Sequence, residues 1–183
     1  VVLTSDHGSF VARDTVRIPQ GAVEHAADEA LAAHGVAGSA HFEAPSLWLP
    51  RDTPPEVALA AAAAIAQVPG IADAFAWRVK PPEGPHAEAV SLSLDDERSG
   101  DIYVLRDERA LFDYPGSEGQ GTSHGTPFAQ DTEVPLLAWG AGVHPERGVT
   151  YDVRQVAPTV AALLGLPSPE AATLAPAEGI VAR

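Results

Sequence analysis

The opening residues, Val-Val-Leu-Thr-Ser-Asp-His-Gly, constrain the fold of this chain more than any other stretch. The apolar run from Val1 has no polar alternation, which predicts a short strand buried on both faces, as in a parallel sheet. Asp6 and His7 stand where that strand ends, at the edge where open α/β sheets place ligands. Gly8 lets the chain leave extended geometry, so that both side chains can reach one site. A simple turn with a surface histidine is the alternative interpretation.

A strand suited to the middle of a sheet is an unusual beginning, and no Met precedes Val1. We therefore expect the chain to be the downstream part of a longer protein. Strands and helices alternate along it, which predicts an α/β fold. We interpret residues 1–183 as a single partial domain with a small inserted α+β lobe over residues 41–95. The predicted strands are 1–3, 46–49, 71–79, 100–105 and 134–139, and the predicted helices are 21–35, 54–67, 86–94 and 152–165.

Composition excludes several classes of protein. The 25 acidic and 11 basic residues give a formal charge of -14, which repels a nucleic-acid backbone. A small phosphate-bearing substrate remains compatible if bound cations reverse the sign of the charge locally. No apolar stretch is long enough to span a membrane, and the start of the chain lacks the basic flank of a targeting segment. Because the chain has no Cys, any metal must be held by His and carboxylate groups.

A second group of candidate residues is Gly121-Thr-Ser-His-Gly125, inside a polar loop predicted from residue 113 to about 130. The flanking glycines leave the imidazole of His124 room to point inward. A solvent loop with an incidental histidine is the alternative. The same residues fit G-x-S-x-G, the nucleophile elbow of α/β-hydrolases, with Ser123 as nucleophile. That motif needs a strand before it and a helix after it, and the surrounding Pro and Gly residues argue against both.

Four segments in this order resemble the second half of an alkaline phosphatase superfamily enzyme. The resemblance is closest to the PafA-like alkaline phosphatases and their phosphodiesterase and nucleotide pyrophosphatase relatives. The segments are Thr4-Ser-Asp-His-Gly8, Gly121-Thr-Ser-His-Gly-Thr-Pro-Phe128, Asp131-Thr-Glu-Val-Pro-Leu-Leu-Ala-Trp-Gly140 and Asp152-Val-Arg-Gln-Val-Ala-Pro-Thr159.

This resemblance implies a three-layer α/β sandwich with a largely parallel central sheet. It also implies a site for two zinc ions. Asp6 and His7 match ligands of the zinc that holds the nucleophile, and His124 matches a ligand of the other zinc. The Thr or Ser nucleophile and the remaining ligands come from upstream in the family. We therefore expect the chain by itself to be inactive, and we assign Asp6, His7 and His124 as metal ligands without an acid or base role.

The implied activity is zinc-dependent hydrolysis of small phosphate monoesters. The Asp-Thr-Glu-Val-Pro run that begins at Asp131 favours this over the phosphodiesterase or nucleotide pyrophosphatase activity of related enzymes. A non-catalytic α/β domain that binds a metal or a partner is the alternative from another class. The resemblance implies a periplasmic or secreted protein, and the oligomeric state is not predicted. The other five histidines are expected to be solvated, and the tryptophans Trp48, Trp77 and Trp139 to lie in the core.

Overall fold

The protein is described by a computed structural model over residues 1–11, 15–114 and 121–181. These residues form two compact units. The first unit combines residues 1–6 with the described residues from 134 onward, and the second comprises the described residues between 7 and 133. Residues 12–14 and residues 115–120 of the predicted polar loop lie outside the described residues.

Short strands and helices alternate along the described chain. The strands are β1 (Val2–Leu3), β2 (Phe10–Val11), β3 (Val16–Ile18), β4 (His41–Glu43), β5 (Ser46–Trp48), β6 (Ile71–Phe75), β7 (Ile102–Arg106), β8 (Ala110–Phe112), β9 (Thr122–Ser123) and β10 (Leu137–Ala138). The α-helices are α1 (Ala22–Ala33), α2 (Pro55–Ile65), α3 (Ala87–Leu92), α4 (Ala129–Thr132) and α5 (Val156–Leu163).

The second unit is built on helices α1 and α2, which pack with a four-stranded sheet in the order β4-β5-β7-β6. The buried residues of α1 are Val23, Ala27 and Leu31, spaced by four so that they share one helix face. Helix α2 begins at Pro55, where the missing N–H costs nothing. Both helices were predicted from these patterns, and both predictions are confirmed. We call α1, α2 and this sheet the helix-on-sheet core.

Strand β7 lies inside that sheet and is buried along its whole length. Ile102 and Val104 belong to the apolar cluster that includes α1 and α2, whereas Tyr103 and Leu105 pack with Val90 of α3. Its neighbours β5 and β6 both run antiparallel to it. The expected largely parallel sheet is therefore not seen in the described residues, where the parallel ladder is β3 with β8. A continuous apolar run shows that both faces of a strand are covered, but not the direction of its neighbours.

The first unit contains a short antiparallel ladder between β1 and β10, with Val2 opposite Ala138. Leu3 and Leu137 are each 53% exposed, so the prediction that both segments are buried strands is wrong. A two-stranded ladder cannot bury both of its own faces, and apolar composition alone did not reveal this. Trp139 is exposed as well, so its assignment to the core was also wrong.

Helix α5 of the first unit follows a 3₁₀ turn at Val153–Gln155. Asp152 accepts a hydrogen bond from the backbone N–H of Arg154, and Gln155 Oε1 accepts one from the backbone N–H of Asp152. This reciprocal pair is a capping box at the start of the helix predicted over 152–165. The hydrogen bonds from the Arg154 side chain and backbone lower the pKa of Asp152 to about 2.

Several other predictions can be compared with these elements. None of the described helices has the length and apolar character needed to cross a bilayer. Segment 41–95 contains β4, β5, α2, β6 and α3, and their sheet also takes in β7; the inserted lobe and the single partial domain remain predictions. Four of the five other histidines are exposed as expected, and His86 is half-buried with its ring edge-on to Phe128.

Candidate functional site

The structure brings together two of the three predicted site residues. The imidazole rings of His7 and His124 are stacked, with centroids 3.7 Å apart and planes inclined by 12°. Both residues belong to the second unit, and both side chains are exposed. We call the segments that carry them, residues 7–11 and 121–126, the histidine loops. Two stretches far apart in the sequence therefore present two imidazoles at one place.

A short antiparallel ladder between β2 and β9 accounts for this contact. Phe10 lies opposite Ser123, and Val11 lies opposite Thr122. Continuing this register places Ser9 opposite His124, with His7 two residues away along the same face. Ser9 supports the register directly, because its hydroxyl contacts the Thr122 hydroxyl and donates to the Ser123 carbonyl oxygen over 3.2 Å.

The His7 ring is oriented by its own main chain. Nδ1 lies 2.8 Å from the carbonyl oxygen of Gly8. A carbonyl oxygen can only accept, so Nδ1 carries the proton and Nε2 is the basic nitrogen of the neutral ring. Metal-binding histidines commonly use one nitrogen for the metal while the other donates to a carbonyl or carboxylate oxygen.

The stacked geometry limits how these rings could bind metal. A zinc ion lies near the plane of its imidazole ligand, about 2.0–2.1 Å from the nitrogen. The two rings are stacked and nearly parallel, with centroids 3.7 Å apart, so one ion could not lie near both ring planes. The two rings would therefore hold separate ions and would not share one.

Asp6, the third predicted ligand, precedes His7 in the chain and is assigned to the first unit. Its side chain is exposed, and its Oδ1 lies 3.3 Å from the donating hydroxyl of Ser5. Over the described ranges, no group of three or more His, Cys, Asp or Glu side chains is arranged to hold a metal ion. The donor types fit zinc, but two ions with about three protein ligands each need more donors than these three residues supply.

A cavity of about 370 Å³ adjoins His124 in the second unit. Its lining includes the loop from Gly121 to Thr126, together with parts of β7 and β8. Burial raises the pKa of the Tyr103 phenol on this wall, and the nearby Arg106 guanidinium opposes that shift. A space of this size lies within the range of small-molecule pockets.

The alternative reading of Ser123 as a nucleophile in an elbow finds no support in the geometry. Ser123 is itself part of β9 and pairs with Phe10. The residues that follow it form a loop, and the next helix, α4, begins only at Ala129. A nucleophile elbow requires the serine at the turn between a strand and a helix.

Sequence reasoning missed the two buried charged residues beside the histidine loops, Arg106 and Asp131. Their side chains are only 5% and 1% exposed. Arg106 is the last residue of strand β7, and the other residues of that strand are uncharged. A charged residue next to a run of apolar residues could have indicated a buried charge. Asp131 was named only as the first residue of one of the four segments that resemble the superfamily. Its environment depends on contacts with distant segments that local sequence does not show.

Structural comparison assigns the chain to the class of alkaline-phosphatase-like α/β folds. The crystal structure of wild-type alkaline phosphatase PafA superposes with a TM-score of 0.74 at 19% sequence identity, covering 98% of this chain and 38% of that one. A multiply substituted PafA variant superposes with a TM-score of 0.72, also at 19% identity, covering 98% of this chain and 37% of that one.

Sequence comparison gives the same relationship. Alkaline phosphatase PafA of Elizabethkingia meningoseptica is 31% identical over 108 residues, which cover 58% of this chain and 19% of that protein. Alkaline phosphatase PhoK of Sphingomonas sp is 33% identical over 97 residues, covering 49% of this chain and 17% of that protein. No protein-family model matches the chain. The resemblance to the alkaline phosphatase superfamily is confirmed, and the matched segments span less than a fifth of these curated relatives.

Proposed function

We propose that this chain forms part of a zinc-dependent hydrolase of phosphate monoesters. The curated relatives it resembles are both alkaline phosphatases. Asp6, His7 and His124 are the proposed zinc ligands. The proposed substrate is a small phosphate ester, and a periplasmic or secreted location follows from the family resemblance alone. The hydroxyl nucleophile and the remaining ligands are proposed to come from sequence upstream of Val1.

The contact between His7 and His124 is the observation that carries this proposal. The two imidazoles come from distant segments, yet their centroids are 3.7 Å apart. Because their planes are nearly parallel, the rings suit two neighbouring ions better than one. Two-metal sites that act on phosphate esters hold their ions about 3.5–4 Å apart. The ring contact would therefore bring one ligand of each proposed ion to the same place.

In the proposed site, residues of this chain would bind and orient two zinc ions, and the ions would supply the chemistry. Two zinc ions would stabilise the negative charge on the attacking and leaving oxygens of a phosphoryl displacement. His7 is held by its Nδ1–H bond to the Gly8 carbonyl oxygen, which directs Nε2 as the donor nitrogen. Asp6 would add a carboxylate donor from the adjacent position. His124 would supply the imidazole of the second ion.

The test uses the protein expressed from its coding DNA, including any coding sequence that precedes the codon for Val1. Wild-type protein, His124→Ala and the control His25→Ala are compared for zinc stoichiometry and for phosphate release from an aryl phosphate monoester. His25 is a suitable control because its side chain is 75% exposed and its Nε2 lies 3.3 Å from Oε1 of Glu29, one helical turn away. We expect two zinc ions and activity in wild type and control, and loss of one zinc and of activity in His124→Ala.

Four results would contradict the proposal. If the wild-type protein binds no zinc, the metal assignment is wrong, and if it binds zinc but cleaves no ester, the chain belongs to a non-catalytic metal-binding protein. If an aryl phosphate diester is cleaved much faster than the monoester, the substrate class is wrong. Equal loss in His124→Ala and His25→Ala would show a general effect of removing histidine and would overturn the role of His124.

A further inference from the structure

Asp131 is the centre of a buried polar network that touches both histidine loops. Its Oδ2 accepts hydrogen bonds from the backbone N–H of Thr126 over 3.0 Å and from the Thr126 hydroxyl over 2.6 Å. Its main-chain carbonyl oxygen accepts from the N–H of Gly8 over 2.8 Å. Thr126 lies two residues after His124, and Gly8 directly follows His7. One residue therefore holds the chain next to each histidine.

The contact at Gly8 is unusually close. A Cβ atom at this position would lie 2.0 Å from the carbonyl oxygen of Gln130 and 3.3 Å from the Cα of Asp131. Real Cβ atoms do not approach backbone so closely, so only glycine fits without movement of one of the chains. The loop that carries His7 thus lies directly on the backbone that carries Asp131.

Arg106 anchors this network to the helix-on-sheet core. Its Nη2 lies 3.5 Å from Asp131 Oδ2, and its Nη1 donates to the carbonyl oxygen of Ala110 over 3.0 Å. The guanidinium also lies over the ring of Phe10 in β2, with Cζ 5.1 Å from the ring centroid. Burial lowers the pKa of Arg106, and the charge of Asp131 opposes this. The guanidinium stays charged because its ordinary pKa is far above neutral pH.

Net stability is a poor explanation for this pair. Desolvation of two charges consumes most of their attraction, and apolar replacements of a buried ion pair are often neutral or stabilising. Asp131 Oδ1 is also buried and has no hydrogen-bond partner among the described residues, which adds to the cost. What the network supplies is fixed geometry, because each bond ties a defined backbone position to β7.

We propose that Asp131 is a positioning residue that sets the spacing of the His7 and His124 imidazoles. It acts through Gly8 on one histidine loop and through Thr126 on the other, and its own side chain is only 1% exposed. Its importance for catalysis depends on the proposed function, but its effect on the ring contact does not. Loss of the Asp131 network separates the rings and weakens metal binding without loss of the helix-on-sheet core.

The test measures the ring contact and metal binding separately. Nuclear Overhauser effects between the ring protons of His7 and His124 report the contact in histidine-labelled 183-residue chain, with signals assigned from single His→Gln variants. Zinc affinity is measured by competition with a chelator in the complete protein. The variants are Asp131→Leu, which removes the accepting carboxylate, Thr126→Val and Thr126→Ser. Thr126→Val removes the donating hydroxyl, whereas Thr126→Ser keeps it and serves as the matched control.

We expect Asp131→Leu to abolish the ring contact and to weaken zinc binding about 10- to 100-fold, the range for residues that orient metal ligands. Thr126→Val should weaken both the ring contact and zinc binding, whereas Thr126→Ser should keep both close to wild type. Backbone amide signals of α1 and β7 should stay unchanged in each folded variant.

An intact ring contact in folded Asp131→Leu would overturn the proposal. If that variant does not fold, the serine and valine variants decide, and equal ring contacts in the two would also overturn it. If the wild-type protein binds no zinc but the ring contact depends on Asp131, the positioning role stands and the proposed function fails.

Discussion

The helix-on-sheet core and the histidine loops belong to one compact unit, but different forces hold them in place. The core buries apolar side chains such as Leu31, Leu47 and Ile65 completely. The loops expose His7 and His124 and depend on Asp131, Arg106 and short backbone contacts for their positions. Apolar packing tolerates substitutions of similar size and shape, whereas a hydrogen bond requires a particular donor atom and a particular acceptor atom. The difference suggests that stability and site geometry can be changed separately.

The largest expected effect comes from leaving the Asp131 carboxylate without its buried partner. Arg106→Met should lower the free energy of unfolding by about 3–5 kcal/mol, because an uncompensated charge then remains in the interior. Denaturant unfolding monitored by circular dichroism measures the change. The ring contact should be lost as well, since Arg106 connects the network to β7.

The double variant Arg106→Met with Asp131→Leu is the matched control for this charge effect. It removes both charges, so much of the lost stability should return while the ring contact stays absent. Recovery of the ring contact in the double variant would contradict the view that the network positions the loops.

The same contrast explains which parts of the molecule were predictable from sequence. Helices α1 and α2 follow from the repeated spacing of apolar residues and from Gly and Pro at their ends, which are local signals. The short strands β2, β8 and β9 were predicted to be loops or left unassigned, because two or three residues carry too little periodicity. Strand direction was also inaccessible, as β7 shows, since partner direction depends on the topology of the whole sheet.

The candidate site was predicted through family landmarks and not through local physics. His7 and His124 were singled out by their glycine-rich surroundings and by the order of the motifs, and the structure places their rings in contact. The register that joins them depends on β2 and β9, and Asp131 depends on contacts with Arg106 and Thr126. Such polar contacts between distant segments leave no periodic signature in a single sequence.

The second prediction concerns the core alone. Leu31 is fully buried on α1, so Leu31→Ala should lower the free energy of unfolding by about 2–5 kcal/mol through lost burial and an unfilled cavity. Leu92→Ala is the matched control because Leu92 is 81% exposed, and its change should stay within about 0.5 kcal/mol. Denaturant unfolding measures both variants.

This variant also tests whether the two regions are separable. In the folded fraction of Leu31→Ala, the Overhauser effect between the His7 and His124 rings should keep its wild-type strength. A ring contact that weakens in proportion to stability would show that the loops merely follow the core.

The smallest expected effect on stability comes from Gly8→Ala, which should nevertheless have a large effect on the site. The new methyl group would meet the Gln130 carbonyl oxygen at 2.0 Å, so the histidine loop must move. Overpacking of this kind costs about 1–3 kcal/mol. Because the collision lies next to His7, we expect the ring contact to be lost while the amide signals of the helix-on-sheet core persist.

Gly35→Ala separates this local collision from the general cost of replacing a glycine. Gly35 has a φ of +71° after α1, and a Cβ there would meet no atom within 4 Å. Its replacement therefore costs about 1 kcal/mol through backbone strain alone. If both variants lose similar stability but only Gly8→Ala loses the ring contact, the backbone at Gly8 determines where His7 lies. An unchanged ring contact in Gly8→Ala would mean that the loop reaches His124 without its contact to Gln130 and Asp131.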